Sequence, residues 1–167
     1  MVARLVLGVV LTAAALTACG TGPGGQPSHP ATTPGSSPPA GTVAGTTAAC
    51  AQQYHAWQNG PAHLTIVKFE AAQIVLDKES SSGQVTLIAA ALNILGQRAA
   101  ALASFPVPSC ADPQGFFAAL LSQIVNVTGE VGPDATLADL QQAINQLSSV
   151  FSLESDFTAE VKQTTGS

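Results

Sequence analysis

The stretch VTLIAAALNILGQRAAAL, residues 85–102, decides the fold. Its larger apolar residues recur at alternating steps of three and four, which places them on one face of an α-helix. The alanines between them add high helix propensity. A face of this kind is stable only when it packs against other elements. It consists of Val85, Ile88, Leu92, Leu95, Ala99 and Leu102.

Similar patterns predict helices on both sides of this stretch. A break at Asn59-Gly60-Pro61 separates a short leading helix, about 47–59, from a longer helix over about 61–80. A third long helix opens with Asp112-Pro113 and ends at Gly132-Pro133. The predicted buried stripes are Leu64, Val67, Ala71, Ile74 and Val75 in the helix over 61–80, and Phe117, Leu120, Leu121, Ile124, Val127 and Val131 in the third long helix.

The last helix begins at Thr136-Leu137-Ala138-Asp139, which resembles a capping box with Asp in place of the usual Glu. Its buried stripe is predicted to start in one register and then, because Glu154 interrupts that register, to drift. The first register is Leu137, Leu140, Ile144, Leu147 and Phe151, and the second is Val150, Leu153, Phe157 and Val161. No segment shows the alternation of a strand. We therefore predict an all-α domain over residues 50–167, an antiparallel four-helix bundle with a short leading helix.

The N-terminus indicates export. Its apolar run over 5–18 follows Arg4 and is shorter than the about 20 residues that span a bilayer, so residues 1–18 fit a signal peptide. Leu16-Thr17-Ala18-Cys19 resembles the bacterial lipobox, whose cysteine receives a diacylglycerol before the signal is removed. The motif predicts a lipid anchor on Cys19 at the extracytoplasmic face of the cell membrane, held by two or more acyl chains. The alternative is an ordinary signal in which Cys19 is incidental.

Residues 19–49 are predicted to be a disordered linker. They are almost entirely Gly, Pro, Ser, Thr and Ala and contain no charged residue, so they cannot bury enough apolar surface to fold. A flexible chain of this length spans roughly 30 Å, which would lift the domain away from the lipid. His29, inside the linker, is expected to be solvated.

Cys50 and Cys110 are the remaining cysteines. In an exported protein, such a pair favours a disulfide. A metal site would require further ligands nearby, and a catalytic thiol would require a partner base. The disulfide would join the leading helix to the loop before the third long helix.

The composition excludes several classes of function. The chain has 5 basic and 10 acidic residues, which disfavours nucleic acid as a partner. It contains no nucleophile elbow, P-loop or dinucleotide-binding pattern. Neither His55 nor His63 follows a Glu by three residues, as di-iron bundles require. We expect no enzymatic activity, no catalytic residue, no metal and no cofactor apart from the lipid.

One cluster could carry chemistry: Tyr54, His55, Trp57 and His63, around the Gly60-Pro61 break. Aromatic walls and imidazole donors could form a small-ligand or metal site. Alternatively, Tyr54 and Trp57, three residues apart on one helix face, pack the leading helix onto the bundle and the histidines lie at the surface. The sequence favours this packing interpretation, because eight residues across a helix break is no standard spacing for metal-binding histidines.

CAQQYHAWQNGPA, residues 50–62, and FPVPSCADPQGFF, residues 105–117, resemble the paired landmarks of small exported lipoproteins of actinomycetes. The matching residues are 50–62 and 106–115, preceded by the lipobox and the linker. The resemblance implies a disulfide-clipped helical domain and no transferable activity. We therefore expect a non-enzymatic lipoprotein that binds an envelope protein. The alternative is a small-ligand or metal carrier, or a sensor, that uses the cluster around Tyr54.

Overall fold

The computed structural model describes residues 42–166 and the side chains from residue 46 onward. Those residues form an all-α fold without strands, which confirms the predicted fold class. The helices are α1 (Thr42–Asn59), α2 (His63–Ser80), α3 (Val85–Leu102), α4 (Phe116–Gly129), α5 (Leu137–Val150) and α6 (Ser152–Thr165). The predicted signal peptide, Cys19 and the linker up to residue 41 lie outside the described residues.

Helix α3 is the centre of the hydrophobic core. Its residues Leu92, Leu95 and Leu102 are fully buried, as the spacing predicts. It packs against α2 on one side and α4 on the other. Within the described part of the chain, α3 is the one helix long and apolar enough to cross a membrane. On its outer side Leu87 and Ile94 are exposed, and so is Val85, which we predicted as buried. Because one side of α3 is fully enclosed by other helices, we interpret α3 as the core helix of the bundle.

The leading helix is longer than predicted. Helix α1 begins at Thr42, so residues 42–49, which we placed in the disordered linker, are helical. With 18 residues, α1 is as long as α2 or α3. The prediction failed because it relied on composition: Gly, Ala and Thr occur both in linkers and in the first turns of helices. The next helix, α2, begins at His63 rather than Pro61, after a turn in which the N–H of His63 donates to Gly60 O.

The predicted buried stripe of α2 is wrong. Leu64, Val67, Ala71, Ile74 and Val75 are exposed, and the side chains that α2 buries are Phe69, Ala72 and Leu76. Apolar residues lie on two sides of this helix, so two stripes have helical spacing. The structure buries the stripe that contains Phe69, the largest of these side chains.

Two helix boundaries also differ from prediction. Helix α4 begins at Phe116, with Gly115 rather than Asp112 as its N-cap residue. Asp112 still contacts the first turn, because its Oδ2 accepts a hydrogen bond from Phe117 N–H at 3.1 Å. The last helix is divided at Phe151 into α5 and α6. The capping box at its start is confirmed, with Asp139 Oδ2 accepting from Thr136 N–H at 2.8 Å.

The division at Phe151 gives the last two helices different neighbours. Helix α5 packs on α3 and α4, whereas α6 packs on α1 and α4. The predicted drift of the stripe agrees with this: Leu140 and Leu147 are buried in α5, and Phe157 and Val161 are buried in α6. Leu137, predicted as buried, is 46% exposed.

We predict that Gly96→Ala destabilises the domain, although Ala is the better helix former. A Cβ at Gly96 would overlap Thr128 Oγ1 and come within 3.0 Å of Thr128 Cβ, so α3 and α4 would have to separate. Overpacking of this kind costs about 1–3 kcal/mol. Chemical denaturation measures it. In the control, Gly129→Ala, the new Cβ meets nothing within 4 Å, and equal destabilisation of both variants would contradict the close approach at Gly96.

Candidate functional site: the aromatic cluster, the carboxyl pair and the outer face of α2

A second, smaller core forms where α1, α6 and the α3–α4 connection meet. Its buried members are Cys50, Tyr54, Ala111, Phe157 and Val161. The predicted disulfide between Cys50 and Cys110 is present, with a Cα–Cα distance of 5.7 Å. It joins α1 to the connection that precedes α4, as expected from the sequence. This second core therefore holds α1 and α6 against the end of the main core.

Four aromatic rings fill this second core. Tyr54 stacks on Trp57 with 5.7 Å between ring centroids, and Trp57 meets the ring of Phe117 edge-on. Phe117 in turn contacts Phe157 of α6 at 4.8 Å. The indole N–H of Trp57 donates to Phe105 O at 2.9 Å, which ties α1 to the α3–α4 connection. Such pairs contribute about 0.5–1.5 kcal/mol beyond burial of their area.

The predicted ligand cluster is only partly assembled. Tyr54 is buried, its hydroxyl accepts from Gln58 Nε2 at 3.1 Å, and burial raises the pKa of Tyr54 to about 12. His55 and His63 are both exposed. The ring of His55 lies 6.3 Å from that of Tyr54, at the margin of the aromatic cluster. This geometry corresponds to the packing interpretation, in which Tyr54 and Trp57 fasten α1 and the histidines lie at the surface.

The described residues contain no group of three or more His, Cys, Asp or Glu side chains that could hold a metal ion. They do contain a groove of about 540 Å³ between the end of α3, the α3–α4 connection and α4. Its walls are mainly apolar and include Phe105, Phe117 and Leu121, with Asp112 at one side. The groove therefore adjoins the aromatic cluster through Phe117.

A pair of carboxyl groups lies beside this groove, and sequence reasoning missed it. Glu160 of α6 is only 7% exposed and lies against Asp112. Burial raises the pKa of Glu160, and Asp112 raises it further. Its position in the sequence could have predicted that Glu160 is buried, because Glu160 lies three residues after Phe157 and next to Val161, two residues of the predicted buried stripe.

The outer surface of α2 is the second feature that sequence reasoning missed. Leu64 is 60% and Ile74 is 59% exposed, and Val67, Ala71 and Val75 complete the stripe between them. We call these five residues the α2 apolar face. Lys68 and Lys78, both exposed, lie beside it at helical spacing. Because α2 packs mainly against α3, this face has no partner within the described residues.

Comparison with known proteins leaves the site to be interpreted from its own residues. No protein-family model matches the chain, and neither a curated protein nor a solved structure matches it.

We predict that reducing the Cys50–Cys110 disulfide lowers the melting temperature without removing the helix content. The crosslink closes a separation of 60 residues, for which the chain-entropy model gives about 4 kcal/mol, while the helices of the main core do not depend on it. Thermal unfolding followed by circular dichroism measures both quantities. A Cys50→Ser/Cys110→Ser double variant should match the reduced protein. An unchanged melting temperature would contradict the stabilising role.

Proposed function

We propose that this protein is a lipid-anchored, non-enzymatic interaction module of the cell envelope, and that it binds its partner through the α2 apolar face. The observation that carries the proposal is the exposure of Leu64, Val67, Ile74 and Val75 along one side of α2. Isolated surface hydrophobes are ordinary, but contiguous apolar patches of a few hundred Å² on soluble domains are often functional. Four such residues over three turns form a contiguous patch.

The geometry of this face suits a helix as its partner. Residues 64, 67, 71, 74 and 75 repeat at steps of three, four, three and one, the spacing with which one helix packs along another. The face is polar at its ends and margins, where Lys68 is exposed and Lys78 is 81% exposed. A partner helix can therefore bury its apolar stripe while its own polar residues meet the lysines at the rim.

The lysines beside the α2 apolar face indicate the charge of its partner. The chain has 5 basic residues in all, and two of them lie beside the α2 apolar face. Lys78 already pairs with Glu79 at 3.5 Å, so an acidic flank on the partner would complement Lys68 in particular. A second copy of the chain would bring the same lysines against one another. We therefore assign the face to an apolar helix of another envelope protein with acidic residues at its edges.

The anchor and the linker complete the proposal. Cys19 would carry the diacylglycerol. As a flexible chain, residues 19–49 would reach roughly 30 Å, and the helical residues from 42 onward shorten that reach. Confinement of this kind raises the effective concentration of a membrane-bound partner, so a modest interaction face suffices. The resemblance to actinomycete lipoproteins supports the location and implies no activity.

The α2 apolar face can be tested with a photo-crosslinking amino acid at position 67 in whole cells. We predict a cross-link to one other envelope protein. Ile74→Glu should reduce the cross-link at least tenfold, about 1.4 kcal/mol, because it places a charge inside the apolar contact. Charge reversal of Lys68 and Lys78 should also weaken it. Leu137→Glu is the matched control, since Leu137 is 46% exposed on α5.

Three outcomes would contradict this assignment. Absence of any cross-link from position 67 would contradict the proposal that the α2 apolar face binds a partner. A cross-link between two copies of the chain would replace the proposed partner with a homodimer. Equal loss in the Leu137→Glu control would show that the effect is not specific to α2.

The anchor is tested separately by Cys19→Ala. If the lipobox is functional, this variant lacks the only lipidation site and should leave the membrane fraction, either as unprocessed precursor or as soluble protein. Fractionation and intact mass measure this. A Cys19→Ala protein that partitions normally with membranes would contradict the anchor, while leaving the α2 apolar face untested by this experiment.

A further inference from the structure

The carboxyl pair beside the groove poses an electrostatic problem. Oε2 of Glu160 and Oδ1 of Asp112 are both enclosed and lack a hydrogen-bond partner. The other oxygen of Asp112 accepts from Phe117 N–H, and the backbone of Gln114 hydrogen-bonds to Glu160. The side chain of Gln114 also hydrogen-bonds to Glu160, and the two unpaired oxygens belong to side chains in contact with each other. Two ionised carboxylates cannot remain in contact in a buried site without a bridging proton or cation.

A proton fits this site better than a cation. Calcium takes six to eight oxygen ligands, and magnesium keeps several waters. The unpaired oxygens are enclosed, which leaves little room for water around an ion, and the described residues supply no third carboxylate, cysteine or histidine beside them. A single proton requires only the two oxygens that are present.

We propose that Asp112 and Glu160 share one proton, and that this carboxylic acid–carboxylate hydrogen bond is a pH-sensitive latch between α6 and the α3–α4 connection. The proton lies between Glu160 Oε2 and Asp112 Oδ1, and its loss to solvent leaves two buried negative charges that repel. The latch holds the α3–α4 connection in place. This connection carries Cys110, accepts the Trp57 hydrogen bond at Phe105 O and forms one wall of the groove.

The surroundings of the pair contribute little other charge. From α1, Tyr54 lies against α6 and stays neutral, because burial raises its pKa to about 12. Helix α4 contains no ionisable side chain, and Asp139 of α5 is exposed at the far end of that helix. On α6 itself, Asp156 and Lys162 are exposed. Asp112 is therefore the charged group that faces Glu160.

The direction of the pH effect follows from the raised pKa of Glu160. In the unfolded chain a Glu side chain titrates near 4.3. Below that value both states are protonated and the latch is intact. As the pH rises through the higher folded pKa, the folded state alone is penalised, so this contribution to stability is lost. The latch is therefore closed below the folded pKa of Glu160 and opens above it.

The first test is a pH titration of the full chain, disulfide intact, by ¹³C NMR of the carboxyl carbons. The Glu160 resonance should titrate above the ordinary Glu range. Titration of Glu160 within the ordinary Glu range would overturn the shared proton. The titration is repeated with calcium and with a chelator; a dependence on calcium would replace the proton with a cation.

The second test follows the latch through Trp57, the only tryptophan. Its emission should change at the pH where Glu160 titrates, because its N–H bond ends on the connection. Glu160→Gln can still donate to Asp112 and should abolish this step, with a flatter dependence of melting temperature on pH. Persistence of the step in Glu160→Gln would overturn the latch.

Two control variants separate the latch from other titrations. Glu154→Gln alters another acid on α6 whose pKa burial raises, and whose carboxylate accepts from Gln73 on α2. His55→Gln removes the histidine beside the aromatic cluster. Both should leave the Trp57 step in place. Loss of the step in either control would assign it to that residue and overturn the latch.

Discussion

Burial of α3 between α2 and α4 is the constraint on which the rest of the structure depends. Leu92, Leu95 and Leu102 are fully enclosed, and Gly96 lets α4 approach until Thr128 lies over its backbone. Once α3 takes this position, α2 has one main neighbour and one free side. Helix α4 provides a second surface for α5 and α6, so most further packing lies on the α4 side, with a smaller contact between α1 and α2. The exposed face of α2 is thus a consequence of where the core lies.

The second core extends the bundle by a different means. It is built from aromatic rings, a disulfide and the hydrogen bond between Trp57 and Phe105 rather than from a long aliphatic stripe. It attaches α1, the helix that leads from the linker, to α6 and the α3–α4 connection. In the proposed function the attachment to the membrane would therefore enter the domain at the second core, while the partner would bind on α2. The proposed proton latch lies at the second core, between α6 and the α3–α4 connection.

How much the sequence could predict depends on how one-sided each helix is. The stripes of α3, α4 and the last two helices are asymmetric, so spacing located Leu92, Leu120 and Leu147 in the core. Helix α2 has apolar residues on two sides, and spacing alone could not choose between the stripe with Phe69 and the one with Ile74. The cysteine pair was predictable because export and spacing restrict its chemistry. The Asp112–Glu160 pair was not, since it joins residues 48 positions apart through a contact that periodicity does not encode.

Helix α3 fills the core and leaves the α2 apolar face in solvent. Methyl NMR with a soluble paramagnetic gadolinium chelate measures this arrangement. We predict strong broadening of the methyl signals of Leu64, Val67 and Ile74, and no broadening of Leu92 and Leu95, in the monomeric protein. Equal protection of both sets would mean that the α2 apolar face is already packed within the chain, which would contradict both the assigned core and the proposed binding surface.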